Sequence, residues 1–162
     1  MKKIILLLFV VTTLQSCFFA KVNQMKKMKK LYTVEYNSIP PEFGANKEEV
    51  LMVILKDDNP YYNGYIKKAV KKNYKGNYVL VKDSEYYDSK YSDKVKFRFY
   101  FDFSSGRSFS SHDGRDSGSY KRFFVNDRLT DKRYQVNEDF NFFVKAMHIY
   151  LANLELKRTA TN

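Results

Sequence analysis

Hydrophobic and polar positions change their spacing several times along the chain, and each change marks an element. Val50 to Leu55 is an unbroken apolar run closed by Lys56, Asp57 and Asp58. It is short for a helix and β-branched at its centre, which predicts a buried strand. Asn59-Pro60 then reads as a helix start, with Asn as cap and Pro in the first helical position. Tyr62, Ile66, Ala69 and Val70 recur at helical spacing, leaving Lys67, Lys68, Lys71 and Lys72 on the outer side, and Gly76 is expected to end the helix. Tyr78 to Val81 predicts a second buried strand, completing a strand-helix-strand unit of the kind that builds parallel pairs.

Alternation takes over downstream. Val95, Phe97, Phe99, Phe101 and Phe103 fall on one side of an expected strand, and Lys96, Arg98, Tyr100 and Asp102 on the other, the period of two of a strand with one wet face. Ser84 to Lys94, rich in charge and tyrosine, has room for a short helix. Tyr120 to Val125 predicts a partner strand, followed by a turn at Asp127 to Asp131 and a short segment from Lys132 to Val136. Asn137 is expected to cap a last helix whose buried stripe is Phe140, Phe143, Val144, Met147, Leu151 and Leu154. This order predicts an α/β (α+β) fold: a small mixed-sheet sandwich in which a strand-helix-strand unit is followed by antiparallel strands and a C-terminal helix.

The first 17 residues follow a different rule. Lys2 and Lys3 open the chain, Ile4 to Val11 is apolar, and Thr12 to Ser16 is mostly polar before Cys17, the three-part layout of a secretory signal. The stretch from Ile4 to Ala20 is interrupted by Thr12, Thr13, Gln15 and Ser16, whereas a helical span needs about 20 predominantly apolar residues. Leu14-Gln15-Ser16-Cys17 resembles the lipobox of bacterial lipoproteins. That resemblance implies a diacylglyceryl group on the Cys17 thiol, cleavage after Ser16, acylation of the freed amine and a membrane partner held through the lipid. The location it implies is the cell envelope of a bacterium. Phe18, rather than the Asp known to retain some such lipoproteins at the inner membrane, stands second in the mature chain, so the outer membrane is favoured.

The expected division is a signal peptide over 1–16, a lipidated N-terminus and tether over 17–46, a single domain over 47–158 and a tail over 159–162. Lys21, Lys26, Lys27, Lys29 and Lys30, followed by Pro40-Pro41 and Gly44, give the second segment its linker character, although the loose helical spacing of Met25, Met28 and Leu31 leaves room for a brief helix there.

Composition narrows the chemistry. At 162 residues, 44% hydrophobic and 29% charged, the chain is long enough for one sizeable core. Its one cysteine excludes an intramolecular disulfide, a redox pair and every multi-Cys zinc site, and two histidines argue against a His-rich metal centre. No cofactor or metal is expected. Walker loop, HExxH, GxSxG and the glycine fingerprint of dinucleotide binding are all missing from the sequence.

Net charge is +11, or +9 once Lys2 and Lys3 are removed, and such a chain attracts polyanions. An exported protein without a nucleic-acid-binding motif meets acidic envelope glycans or lipid headgroups rather than nucleic acid. Three groups of candidate residues follow. The Lys67, Lys68, Lys71 and Lys72 face is one, with a solvated helix surface as its ordinary alternative. Asp57 and Asp58 end the first strand, where open α/β sheets place ligands, although capping chemistry before Pro60 asks for the same residues. Ser104 to Ser119 carries Arg107, His112 and Arg115 among serines and glycines, either a cradle for phosphate or sugar or a mobile hairpin tip. His112 beside Asp113 makes no triad, because triads depend on geometry that adjacent residues do not naturally supply, and His148 is expected to pack beside the last helix. The function expected is a non-enzymatic binding or scaffolding module of the envelope. The alternative is an envelope hydrolase or carbohydrate-active enzyme using the 104–119 loop with Asp57 or Asp58.

Overall fold

The structure is a computed structural model that describes residues 21–109, 116–138, 140 and 142–161. Helix α1 covers residues 21–31, and β1 (Leu51–Leu55), α2 (Pro60–Asn73), β2 (Tyr78–Lys82), β3 (Phe99–Phe109), β4 (Asp116–Asp127), β5 (Lys132–Gln135) and α3 (Phe143–Thr161) follow. The strands form one sheet in the order β2-β1-β3-β4-β5. β1 is parallel to both neighbours, with Val53 opposite Leu80 on one side and Phe101 on the other, and β3, β4 and β5 pair antiparallel. The fold is α+β, with a strand-helix-strand unit, an antiparallel half and a C-terminal helix.

Local chemistry explains the first unit. Every residue of β1 is buried, since the central strand has both faces covered and needs apolar side chains on each. Asn59 Oδ1 accepts from the Tyr62 N–H at 2.9 Å and Pro60 opens the helix. Tyr74, in extended conformation, ends it. Gly76 therefore does not serve as the left-handed cap expected of it. A Cβ there would lie 2.6 Å from Arg158 Cδ and 2.7 Å from the Tyr74 hydroxyl, so glycine leaves room for these two side chains to pack over the backbone.

Two cores flank the sheet. Leu51, Val53, Leu55, Phe99, Phe101, Phe103, Phe123 and Val125 point to the side where α1, α2 and α3 lie. Met52, Ile54 and Val81 point the other way, under Tyr86, Tyr91 and Phe97 from the segment that joins β2 to β3. That segment corrects the expected wet face. Tyr100 is half-buried and Asp102 is buried, because the connection crosses back over this side.

Three further expectations are corrected. β3 begins at Phe99 rather than Val95: Asp93 Oδ1 accepts from the backbone N–H of Val95 and of Lys96 at 2.9 and 3.0 Å, turning the chain and leaving Val95 exposed. Helix α3 starts at Phe143, beyond the Asn137 cap position, and runs through the expected tail to Thr161. Val136 is still buried after β5, and Phe140 packs edge-on against Tyr32 with centroids 5.6 Å apart, so the chain before the helix is held by packing.

The expected tether is the third. From residue 21 onward it belongs to the folded body, because Met28, Leu31, Tyr32, Ile39 and Phe43 are buried in the main core. Asn153 Nδ2 donates to the carbonyls of Lys29 and Tyr32 at 2.9 and 2.7 Å, and the Tyr150 hydroxyl donates to the Ser38 carbonyl. Gly44, at φ +81°, has the Arg158 backbone against it, where a Cβ would come within 2.6 Å.

Candidate functional site

Lys67, Lys68, Lys71 and Lys72 lie exposed on α2, opposite its buried Tyr62, Ile66, Ala69 and Val70. Lys71 and Lys72 occupy the last turn, where cations complement the helix dipole. Among the described residues none of the four forms a salt bridge. The arrangement extends beyond one helix. The three helices together carry 12 of the 29 basic residues and one, Glu155, of the 18 acidic ones. Because all three cover the same side of the sheet, the basic excess is gathered in one layer.

At the carboxyl ends of the parallel strands the two expected aspartates are not the residues brought together. Asp57 Oδ2 accepts from the Ser84 N–H at 2.9 Å, holding the turn after β2, and Asp58 is exposed. Their neighbour Lys56 makes the cluster: its Nζ lies 2.8 Å from Asp102 Oδ2 and 3.2 Å from Asp83 Oδ1. Asn63 braces the Lys56 backbone, accepting from its N–H at 2.9 Å and donating to its carbonyl at 2.7 Å. A cavity of about 210 Å³ beside the cluster is lined by Ile54, Asp83, Tyr86, Tyr87, Tyr100 and Asp102.

Burial opposes the charge on Lys56, but Asp102 and Asp83 outweigh it and hold the ammonium above its ordinary value. Burial raises the Asp102 carboxyl, with Lys56 pulling back. Paired with both carboxylates, Lys56 ties the end of β1 to β3 and to the turn after β2. Sequence patterns missed the cluster because its members are 27 and 46 positions apart. A charged residue directly following a buried strand was the available signal.

The expected 104–119 loop is mostly strand. Ladder pairing runs from Ser104 opposite Arg122 to Phe109 opposite Asp116, with a bulge at Ser108 and Phe109, so Arg107 is a β3 residue facing Ser119 in register. Serines and glycines are weak strand formers, and the ladder extends through them because both flanking strands are already aligned by their aromatic residues. His112, Arg115 and Cys17 lie outside the described residues. His148 is half-buried, with Nδ1 at 2.6 Å from Asn73 Nδ2. Burial, with Lys72 adding to it, lowers its pKa.

The opposite end of the sheet holds a second buried ionisable group. Glu49 is pushed up to about 7 by burial, against the Gly44 N–H at 3.4 Å and the charge of Arg98. An acid raised in the folded state contributes its full stability below the unfolded value near 4.5 and loses it as pH rises through about 7. Glu49→Gln should therefore flatten the decline in stability between about pH 5 and pH 8, a difference of up to about 3 kcal/mol at about 1.4 kcal/mol per pKa unit. Denaturant unfolding of both proteins at the two pH values measures it, and parallel declines would exclude Glu49 as the source.

Among the described residues no group of three or more His, Cys, Asp or Glu side chains is placed to hold a metal ion, and no helix is long and apolar enough to cross a membrane. Comparison with protein-family models, with curated proteins and with solved structures finds no match to this chain.

Proposed function

We propose that this chain is a lipid-anchored protein of the bacterial cell envelope, of the outer membrane by preference, and that its layer of basic helices binds an acidic envelope component without catalysing a reaction. The observation that carries the binding step is the gathering of basic residues on α1, α2 and α3, with one acidic residue among them. The exposed lysines give this side a net positive charge, although Lys27 pairs with Glu138 and Arg158 with Glu155, and a net positive face draws lipid headgroups or acidic glycans. The anchor rests on the lipobox resemblance at Cys17, and α1, described from residue 21, is four positions further on. Lipid on that cysteine sets the lysine-bearing end of the fold next to the bilayer.

The test uses full-length protein in mild non-ionic detergent on a resin bearing phosphatidylglycerol or an acidic polysaccharide. Retention should fall steeply as salt rises from about 0.01 to 0.15 M, where the screening length contracts from about 30 to 8 Å. Replacing Lys67, Lys68, Lys71 and Lys72 together by Gln should weaken it further without changing the melting temperature, by as much as about 1 kcal/mol per lysine. Retention indifferent to salt and to the four lysines would overturn the binding reading. Intact mass of the membrane-extracted protein checks the anchor, which fails if Met1 to Ser16 is retained with no added lipid.

A further inference from the structure

Helix α1 and the last turns of α3 leave an open groove between them, closed at one end by the chain that turns out of α1. It encloses about 430 Å³, larger than the depression beside Lys56, and its apolar lining is Tyr32, Val34, Ile39, Leu156 and Ala160. That volume falls within the roughly 300 to 1,000 Å³ typical of small-molecule sites. Tyr32 and Ile39 are almost fully buried, whereas Leu156 is 66% exposed, a large aliphatic side chain in water at the edge of the groove.

Several of the polar groups along the walls are engaged within the protein. Asn153 Nδ2 donates to the carbonyls of Lys29 and Tyr32, the Thr33 hydroxyl donates to the Lys30 carbonyl at 3.0 Å, and Lys157 Nζ donates to the Thr161 hydroxyl at 3.1 Å. Half of the lining is apolar side chain, against which an extended peptide or a sugar would leave much of its hydrogen-bonding capacity unmet. A hydrocarbon chain has none to meet. At the rim Lys29 and Lys157 stand against one acid, Glu35, so the groove combines an apolar slot with a positive mouth on the basic helical layer.

We infer that this groove seats one acyl chain of an anionic phospholipid, with the headgroup at Lys29 and Lys157. The inference rests on the polyanion reading above and narrows it to one ligand class. The lysines draw the headgroup and the slot takes the chain, so binding combines attraction that salt screens with burial that salt does not.

The experiment places full-length protein in vesicles containing phosphatidylglycerol with a diazirine in one acyl chain, and maps the photo-cross-links by mass spectrometry. Cross-links should concentrate on residues 32–39 and 156–160. They should fall by about tenfold or more in Leu156→Glu, whose carboxylate would have to be desolvated against the chain. Ala160→Trp, which fills the slot without adding charge, should reduce them too, and both positions are exposed, so the melting temperature serves as the control for folding. A diazirine phosphatidylcholine should label the groove several-fold less. Labelling spread evenly over the helices, labelling unchanged by both substitutions, or cross-links joining two copies at this groove would each overturn the assignment. Groove labelling that persists when resin retention ignores salt and the α2 lysines would sink the polyanion reading alone, and salt-sensitive retention without groove labelling would sink the groove alone.

Discussion

Phe101→Ala should lower the free energy of unfolding by about 3 to 5 kcal/mol, the usual cost of deleting a buried phenyl ring and leaving a cavity. Phe101 is fully buried where the parallel and antiparallel halves of the sheet meet, paired in register with Val53 on β1 and Val125 on β4. Its ring stacks on Phe123 with centroids 5.6 Å apart and tilts against Tyr150 of α3 at 5.3 Å. Neighbours on two strands and a helix cannot all close the gap at once, so collapse of the cavity is incomplete. Denaturant unfolding should show a lower midpoint with an unchanged slope, and Lys68→Glu, on the exposed side of α2, should stay within about 0.5 kcal/mol of the parent. Equal shifts from both would show that the faces of the sheet and helix are misassigned.

Arg98→Ala should cost a similar amount by a different route. Arg98 Nε and Nη2 donate to the two carboxylate oxygens of Asp127 at 3.0 and 2.7 Å, and the Leu129 N–H donates to the same carboxylate at 3.0 Å. Asp127 is 1% exposed. Removing the guanidinium leaves a carboxylate out of water without its counter-charge, a loss of about 3 to 5 kcal/mol when one partner of a buried pair is deleted.

The pH dependence separates this cause from lost packing over Phe99, whose ring lies 4.8 Å from the guanidinium carbon. Burial works against the Asp127 charge, yet Arg98 and the Leu129 N–H hold its carboxyl below the ordinary value. The pair's contribution is therefore present above the unfolded value near 3.8 and lost as pH falls through the lower folded value. The gap between Arg98→Ala and parent should shrink toward acid, as the unpaired carboxyl takes up a proton. A gap constant between about pH 7 and pH 3 would assign the loss to packing.

How far the chain could be read in advance depended on how local each cause is. β1, α2 and β2 were legible because their signals sit within a few residues: an apolar run, Asn59 with Pro60, and lysines alternating with a buried stripe. The alternation around Phe99 misled at its start, since it continues upstream through Val95 while Asp93 turns the backbone there. Met28, Leu31, Tyr32, Ile39 and Phe43 share no single period, because the chain leaves α1 and bends twice among them, and so their burial beneath α3 was hidden by the lysines around them. The same limit applies to the charged cluster at the strand ends. Asp57 and Asp58 drew notice as a pair, but the lysine before them faces the side of the sheet where Asp102 lies, and only the parallel register of β1 and β3 brings those two within reach. The lysine face of α2 was visible as a helical pattern. Its continuation onto α1 and α3 depended on all three helices lying on one side.

Outside the three helices the chain carries 17 basic and 17 acidic residues. With Lys2 and Lys3 removed, the mature chain is an electric dipole, a positive helical layer backed by a remainder with 15 basic and 17 acidic residues. Near a negatively charged plane such an object is turned by torque before it touches. Encounters that begin with the sheet's other side foremost are rotated toward the helices, which raises the fraction of productive collisions and makes the association rate, more than the dissociation rate, the quantity that ionic strength controls.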